Sequence, residues 1–447
     1  MNFPPGPSTS PFWQTWQWIT DPIAYLETCA QAYGDFFSVN LGHILSRAIA
    51  VSNPETIQEI FTADPTIFDS GRTNKILRFM VGDTSILLLD REPHQRQRQL
   101  LMPPFHGERM RTYGELICQL TQEISGRWQV NQPFAMRDIM QEITLKVILQ
   151  AVFGLHQGSR YEQVRQAMSN LLNLFASPLK ASLFFFPILQ KDLGEWSPWG
   201  RVQKLLREID QLLYTEIAER RSQTNLSEAT DILSLMMTAK DETGTPMSDQ
   251  ELRDELVTLL LAGHETTATA LSWAFYWVHY LPEIHQHLLA EIQTLNGNLQ
   301  PSEIIRLPYL TAVCQEALRL YPVLFITFPR ILNQPYQLQG YQLEPNTMLV
   351  PCVYLVHHRK DIYPEPNKFK PERFLERQYS PYEYLPFGGG NRRCIGAALA
   401  LLEMKLVLAT ILSQHSLKLA EKKPVKPQRR GLTLGPAGGV KMVKINN

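Results

Sequence analysis

The chain has 447 residues, of which 44% are hydrophobic and 19% are charged, a composition typical of a globular protein with a large core. Lysine plus arginine equals aspartate plus glutamate, at 43 each, so the charge balance favours no polyanionic partner and gives a nucleic-acid role little support. The five cysteines are scattered and form no Cys-x-x-Cys pair, which argues against a disulfide framework or a zinc site and indicates a reducing compartment.

The predicted elements begin with a proline-rich start and three tryptophans, Trp13, Trp16 and Trp18, which we expect to pack against the body of the fold. Strand patterns follow at residues 35–41 and 47–52. Helical periodicity then dominates from residue 93 to residue 320. Apolar and polar residues alternate again over residues 336–356, around turns at Gly340 and at Pro345-Asn346.

These patterns predict a mainly α fold with a smaller β portion (α+β), in a single domain over residues 1–447. The β-rich part covers residues 30–75 and 325–360, and the helical part covers residues 90–320 and 394–415. No run reaches the roughly 20 apolar residues that span a bilayer, and no signal peptide is visible. We therefore expect a cytoplasmic, soluble protein without a transmembrane anchor. The aromatic run at residues 184–186 leaves peripheral contact with a membrane open.

One predicted helix is unusually long. Ser248 and Glu251 match a capping box, and the helical pattern continues from there to Pro282. Such a helix, of about 33 residues, would be about 50 Å long. Its middle, residues 256–261, is almost wholly apolar, so we expect it inside the protein.

The same helix carries a glycine and an acid at its centre. Gly263 destabilises a helix interior by on the order of 1 kcal/mol, so we expect that something needs the room. Glu265 and Thr266 follow it directly. A carboxylate in a core helix requires either partners or a task.

A lone cysteine, Cys394, lies in the glycine-rich loop PFGGGNRRCIG, directly before an apolar helical run. Two arginines precede it, and the following helix directs its free N–H groups toward the sulfur; both effects lower a thiol pKa. A thiolate at a surface of close backbone approach is a nucleophile or a metal ligand. Because no histidine base is close in sequence, an axial haem ligand fits better. An ordinary buried cysteine in a turn is the alternative.

Residues Phe387, Gly390, Arg392, Cys394 and Gly396 follow the spacing Phe-x-x-Gly-x-Arg-x-Cys-x-Gly, which resembles the haem-binding signature of the cytochrome P450 monooxygenases. Three further motifs agree with that family in order: AGHETT at 262–267, EALR at 316–319 and PERF at 371–374. The resemblance covers nearly the whole chain and is strongest to soluble bacterial or cyanobacterial members.

The resemblance implies haem b as cofactor, with Cys394 as the axial ligand of its iron. Many members have Trp at the position of His94, so this chain departs from the common pattern there. The implied cofactor-binding residues are Arg392, His94, Arg98 and Arg330 at the propionates, Phe387 and Gly396 in the cysteine loop, and Ala262 and Gly263 against the distal face.

The resemblance also implies that Glu265 and Thr266 are the acid–alcohol pair that delivers protons during oxygen activation. The alternative is a helix kink in which threonine hydroxyls bond back to carbonyls. A structural network would hold the cysteine loop, and its members are Glu316, Arg319 and Arg373. The substrate pocket would be apolar, and its candidate residues are Phe79, Val323, Ile326, Thr327 and Leu434.

Two adjacent histidines, His357 and His358, could suggest a metal site. On the predicted strand their side chains would point to opposite faces, which makes them poor joint ligands. We interpret them as structural.

The function implied is a haem-thiolate monooxygenase that inserts one oxygen atom from O2 into an apolar substrate such as a fatty acid, alkane or terpene. No flavin domain or nucleotide fingerprint is visible, so a separate ferredoxin and ferredoxin reductase would supply electrons, and a monomer is expected. Two alternatives stay open: a haem-thiolate enzyme that uses peroxide or rearranges a hydroperoxide, and a non-catalytic haem sensor or binding protein.

Overall fold

The computed structural model describes residues 3–42, 46, 48–107, 109–154, 158–173, 191, 194–222 and 231–446. Predictions for residues 184–186 lie outside this part of the chain. The α-helices are α1 Pro11–Thr20, α2 Pro22–Tyr33, α3 Pro54–Thr62, α4 Arg78–Val81, α5 Arg91–Leu101, α6 Arg109–Ser125, α7 Met136–Phe153, α8 Ser159–Asn173, α9 Pro198–Arg221, α10 Ile232–Thr238, α11 Asp249–Tyr280, α12 Pro282–Gln293, α13 Pro301–Ile304, α14 Pro308–Leu320, α15 Val353–His357, α16 Arg373–Glu376 and α17 Ala397–Gln414.

The β-strands are short. They are β1 Phe36–Val39, β2 Ala48–Val51, β3 Phe68–Asp69, β4 Pro133–Ala135, β5 Arg330–Leu332, β6 Tyr336–Leu338, β7 Tyr341–Leu343, β8 Met348–Pro351, β9 Leu417–Leu419, β10 Pro427–Arg430, β11 Thr433–Pro436 and β12 Lys441–Lys444.

Local sequence signals explain where many helices begin. The side chains of Asn53, Ser197 and Asp231 each accept a hydrogen bond from a backbone N–H in the first turn, at 3.0 Å, at the starts of α3, α9 and α10. A proline follows Asn53 and Ser197 at the first helical position, where no backbone donor is needed.

The long helix α11 has the predicted extent. Ser248 Oγ accepts from Glu251 N at 3.2 Å, and Ser248 N donates to Glu251 Oε2 at 2.7 Å, so the predicted capping box is formed. The helix ends before Pro282. It crosses the largest hydrophobic cluster and packs against α7, α9, α14 and α17, which makes it the central element on which the site is built.

The largest sheet has the order β1-β2-β8-β5-β3. Its β2 and β8 are parallel, with Ala48 opposite Met348, and its other neighbours are antiparallel. The remaining strands form the sheet β4-β12-β9 and two hairpins, β6-β7 and β10-β11. The sheet delivers β5 and the segment before it to the edge of the cavity described below.

Three predictions about elements need correction. Strand β4 lies inside the predicted helical range, and strands β9–β12 follow residue 415, where no strand was predicted. These strands are three or four residues long, too short for alternation to show. His357 ends the helix α15 instead of lying on a strand.

The N-terminal tryptophans behave differently from one another. Trp18 is buried, as predicted, but Trp13 and Trp16 are 47% and 49% exposed. Their rings stack on each other at 5.0 Å. The prediction that all three pack against the fold is therefore wrong for two of them, because on α1 residues 13 and 16 share the outer face while residue 18 faces the sheet cluster.

Candidate active site

A cavity of about 690 Å³ lies between the cysteine loop and the middle of α11. Its wall is largely apolar. It brings together most residues singled out from the sequence: His94, Arg98, Arg330, Arg392, Phe387, Cys394, Gly396, Ala262, Gly263, Glu265, Thr266, Phe79, Val323, Ile326 and Thr327. Its volume is within the range of small-molecule and cofactor sites, about 300–1,000 Å³.

The cysteine loop is fixed by its own backbone. Gly388 N donates to Leu385 O at 3.0 Å, and Cys394 N donates to Phe387 O at 3.0 Å. Gly390 has φ +64°, and a Cβ there would lie 2.6 Å from the carbonyl oxygen of Phe61, so only glycine fits this turn. The loop therefore presents Cys394 at the start of α17 in one defined position.

The electrostatics of Cys394 correct the sequence-based expectation. The Gly396 N–H and the charges of Arg98 and Arg393 lower the pKa of the thiol, but burial raises it more, and the net shift is upward. The side chain is open to the cavity and enclosed by protein elsewhere. Loop charge alone thus does not produce a thiolate, whereas coordination to a metal cation deprotonates a thiol outright.

Positive charge is concentrated at one side of the cavity. Arg98 donates to the carbonyl of Arg393 at 2.7 Å, and Arg330 donates to Phe328 O at 2.9 Å and Ser70 Oγ at 3.0 Å. Neither forms an ion pair with any described residue. Burial lowers the pKa of Arg98, and it lowers that of Arg330 to about 9. One buried and one half-buried guanidinium group, neither with a carboxylate partner among the described residues, favour an anionic ligand.

His94 and Arg392 complete this side. Burial, with the neighbouring arginines, lowers the pKa of His94 to about 3, so its ring is neutral and contributes no charge. Arg392 pairs with Asp90 at 2.6 Å and donates to Ile86 O at 3.0 Å, which ties the cysteine loop to the segment before α5. Arg392 is thus already neutralised, and Arg98 and Arg330 are the better placed cations for propionates.

The residues present fit a haem. A Cβ on Gly396 would meet nothing within 4 Å, so the chain leaves open space beside Cys394. Ala262 is exposed to the cavity although it lies in the middle of the longest helix. A flat group between Ala262 and Cys394, with its carboxylates at Arg98 and Arg330, would satisfy both the apolar gap and the unpaired charges.

The acid and the alcohol on α11 have different partners. Glu265 Oε1 accepts from Arg137 Nη2 at 2.5 Å and its Oε2 accepts from Gln141 Nε2 at 2.8 Å, both from α7. Thr266 Oγ1 donates to Ala262 O at 2.5 Å. This is the bond to a helix carbonyl that the sequence analysis gave as the alternative to proton delivery. Helix α11 is nevertheless continuous through this position. Sequence reasoning missed Arg137 and Gln141, since nothing in a sequence connects positions this far apart.

Gly263 makes room for a neighbouring helix. A Cβ on it would lie 2.9 Å from Cδ1 of Ile148 on α7. The space that the sequence predicts at this glycine is therefore occupied in part by Ile148 of α7, and Gly263 also lines the cavity.

The Glu316 network forms away from the cavity, where it is almost wholly buried. Glu316 accepts from Arg319 Nε at 2.6 Å and from Arg373 Nε at 3.1 Å. It also accepts from the backbone N–H of Lys370 at 2.8 Å. Arg319 continues to the carbonyl of His357 at 2.8 Å. The network thus joins α14 to the segments that precede the cysteine loop.

Four of the five predicted pocket residues line the cavity. Phe79 packs against Trp199 at 5.1 Å, and Val323, Ile326 and Thr327 lie on the segment after α14. Leu434 is misassigned: it is 1% exposed, belongs to the cluster around Trp18, and does not line the cavity. Leu432, at the tip of the β10-β11 hairpin, lines it instead, together with Arg430, Gly431 and Thr433, so the hairpin reaches the cavity with its tip and the adjoining strand ends.

Two buried acids at the cavity were not predicted. Burial raises the pKa of Glu255, on α11, and of Glu403, on α17, to about 8 each. Glu255 accepts from Ile86 N at 2.6 Å and Gln97 Nε2 at 3.0 Å, whereas Glu403 Oε1 has no partner among the described residues. The sequence carries a signal for Glu403, an acid inside an apolar helical run, but none for Glu255, which follows the charged residues Arg253 and Asp254.

Among the described residues, no group of three or more His, Cys, Asp and Glu side chains could hold a metal ion. One helix there, Ala397–Gln414, is long and apolar enough to cross a membrane by length and composition, but most of it is buried in the core, so it is weak support for a span.

Comparisons with known proteins agree with this geometry. The family model described as Cytochrome P450 matches residues 4–441. A sequence named cytochrome P450 135B1, from Mycobacterium tuberculosis, is 34% identical over 99% of this chain and 91% of its own length. Cytochrome P450 135A1 of the same species is 33% identical over 98% of this chain and 94% of its own length.

Two solved structures share the fold. Cyanobacterial CYP120A1, solved with retinoic acid bound, has a TM-score of 0.86 at 23% identity and covers 99% of both chains. The haem domain of cytochrome P450DA has a TM-score of 0.85 at 23% identity, over 100% of this chain and 98% of that one. The predicted mainly α fold with small sheets is confirmed.

Proposed function

Since this chain belongs to the cytochrome P450 family, whose members are haem-thiolate monooxygenases, we propose that it oxidises an apolar small molecule at the cavity between Cys394 and Thr266. Family members carry haem b and use O2 with electrons from a redox partner. The observation that carries the proposal is that one largely apolar cavity is lined by the cysteine, by the acid–alcohol pair and by two arginines that form no ion pair with the described residues.

The roles of the residues follow from their contacts. Cys394 would hold the iron, and Arg98 and Arg330 would bind the propionates by charge-assisted hydrogen bonds. The bound haem supplies oxygen activation. Ala262 and Gly263 line the cavity on its α11 side, and the Thr266 hydroxyl, which donates to Ala262 O, can turn its proton toward the cavity.

Glu265 would supply protons to Thr266 from the α7 side. Both of its carboxylate oxygens are held by Arg137 and Gln141, so a proton reaches Thr266 either through a water or after Glu265 exchanges one partner for the hydroxyl. Glu265 and Thr266 favour electron-driven oxygen activation over peroxide use, since a peroxide needs no proton delivery of this kind.

The substrate class is a fatty acid, an alkane or a terpene-like molecule. Phe79, Val323, Ile326 and Leu432 give the cavity an apolar wall, on which such molecules bury most of their surface. The structural relative CYP120A1 was solved with retinoic acid, an apolar chain of this general kind. We further propose a separate ferredoxin with its reductase as electron donor, a monomeric state and a cytoplasmic location.

The testing experiment is a binding screen followed by turnover. Fatty acids, alkanes and terpenes are added to the haem-loaded protein, and the shift of the haem band on loss of bound water identifies ligands. Turnover is then compared with reduced ferredoxin and with peroxide. We expect ferredoxin-supported oxidation, and Thr266→Ala should divert electrons to peroxide.

Two outcomes would overturn the proposal. Cys394→Ala should abolish the thiolate-type carbon monoxide spectrum, and its persistence would remove Cys394 as the ligand. Turnover with peroxide alone, at a rate unaffected by Thr266→Ala, would favour the peroxide-using alternative.

A further inference from the structure

His357 is hydrogen-bonded on both sides of its ring in the fully buried interior. Its Nδ1 lies 3.1 Å from the carbonyl oxygen of Arg319, and its Nε2 lies 3.0 Å from the backbone N of Leu385. The ring also stacks on Tyr384, with centroids 5.5 Å apart. The side chain therefore bridges α14 and the segment that leads into the cysteine loop.

The two partners fix the proton on the ring. A backbone N–H can only donate, so Nε2 must accept from Leu385; a carbonyl can only accept, so Nδ1 must carry the proton toward Arg319. Burial, with the charge of Arg319, holds the pKa of His357 well below its usual value. A single neutral tautomer satisfies both bonds, and a protonated ring would oppose the Leu385 N–H.

A path of hydrogen bonds, joined by short stretches of backbone, runs from this ring to the cysteine. Leu385 O accepts from Gly388 N, and Phe387 O accepts from Cys394 N, each at 3.0 Å. At the other end, Arg319 returns a bond from Nη1 to the carbonyl of His357 at 2.8 Å and is held by Glu316. His357 thus connects the buried Glu316 network to the start of the cysteine loop, beside Tyr384, whose hydroxyl donates to Gln315 O at 3.1 Å.

We propose that His357 is a positioning residue for Cys394: through the Leu385 amide it anchors the start of the cysteine loop and so maintains sulfur ligation of the iron. This inference rests on the proposed role of Cys394. Without His357 the buried Leu385 amide loses its acceptor, the loop loses its fixed start, and the sulfur leaves the iron or takes up a proton more readily.

The test replaces His357 by glutamine or asparagine, each of which can reproduce one of the two hydrogen bonds of the imidazole ring. Glutamine carries an oxygen that reaches the Nε2 position and can accept from Leu385, whereas asparagine places a donor near the Nδ1 position and cannot reach that amide. His358 provides the matched control, because its Nδ1 bonds to Tyr354 O at 2.8 Å, within its own helical turn. The variants are His357→Gln, His357→Asn and His358→Asn.

The readout is the carbon monoxide spectrum of the reduced, haem-loaded proteins, followed during mild heating. We expect His357→Asn to lose the thiolate-type band at least tenfold faster than the wild type, while His357→Gln and His358→Asn stay within about threefold of it. Equal rates for His357→Asn and the wild type would overturn the inference. So would equal losses in all three variants, which would indicate a general effect on stability.

A second measurement keeps the test decisive if His357→Asn does not fold. Hydrogen exchange of the Leu385 amide in the wild type should be slow, and slow in His357→Gln as well. Rapid exchange of that amide in the wild type would refute the anchor. Absence of a thiolate-type band in the wild type would instead refute the proposed role of Cys394, so the two failures are distinguishable.

Discussion

Replacing Glu316 by glutamine should destabilise the protein strongly, although the two side chains have nearly the same shape. Glu316 is fully buried and is the carboxylate that pairs with Arg319 and Arg373, at 2.6 and 3.1 Å. The amide keeps one acceptor oxygen but removes the negative charge and points N–H groups at a guanidinium. Two buried cations are then left without a counter-charge, and breaking such a pair reduces the free energy of unfolding by about 3–5 kcal/mol.

The assay is urea unfolding at pH 7, followed by far-ultraviolet circular dichroism. The chain supplies a matched control, because Glu303 and Arg306 have the same i, i+3 spacing at the surface, where their side chains are 38% and 74% exposed. Glu303→Gln should change the free energy of unfolding by less than about 1 kcal/mol. A loss for Glu316→Gln as small as that of the control would refute the reasoning that burial makes this pair indispensable.

Three further predictions concern the cavity. Burial raises the pKa of Glu403 to about 8, so between the ordinary carboxyl pKa and pH 8 the folded protein holds a proton that the unfolded chain has released. The contribution of this proton to the free energy of unfolding is full at acid pH and is lost as the pH rises to 8. In urea titrations the free energy of unfolding of the wild type should fall by about 1.4 kcal/mol per pH unit between pH 5 and 8, and Glu403→Gln should abolish that fall. Arg330→Met removes a cation that lacks an ion-pair partner among the described residues, and should accelerate haem transfer to apomyoglobin by roughly tenfold or more with little loss of thermal stability. Arg137→Met leaves Glu265 without its cation and should lower the product formed per electron, whereas Arg137→Lys should restore most of it.

Each of these has a contrary result. If the free energy of unfolding of Glu403→Gln has the same pH slope as the wild type, the proton is held by a group other than Glu403. Equal haem loss in Arg330→Met and the wild type would remove Arg330 from the propionate site. Equal coupling in Arg137→Met and Arg137→Lys would show that the charge at position 137 does not act on Glu265.

The features that the sequence predicted well are local. The capping box at Ser248 and Glu251 and the pair Glu316 and Arg319 depend on spacings of three residues within one helix, which helical geometry determines directly. The cysteine motif identified the family because its spacing is specific, and the comparisons confirm that identification.

The features that it predicted poorly depend on tertiary packing. Helix and arginine charge suggested a lowered pKa for Cys394, but burial, which a sequence does not show, decides the sign. The partner of Glu265 lies on a different helix, so Arg137 carried no local signal. Leu434 was assigned to the pocket from the resemblance of its segment to the family's pattern, which does not show that its side chain packs in the cluster around Trp18.

The parallel pairing of β2 with β8 has a consequence for biosynthesis. Ala48 lies opposite Met348, so the two partners are about 300 residues apart in the chain. At the usual rate of synthesis of about 5–20 residues per second, roughly 15–60 s pass between the synthesis of β2 and that of its partner β8. During that interval the backbone N–H and C=O groups on the β8 side of β2 lack their sheet partners, and we expect the nascent polypeptide to depend on chaperones that bind exposed strands.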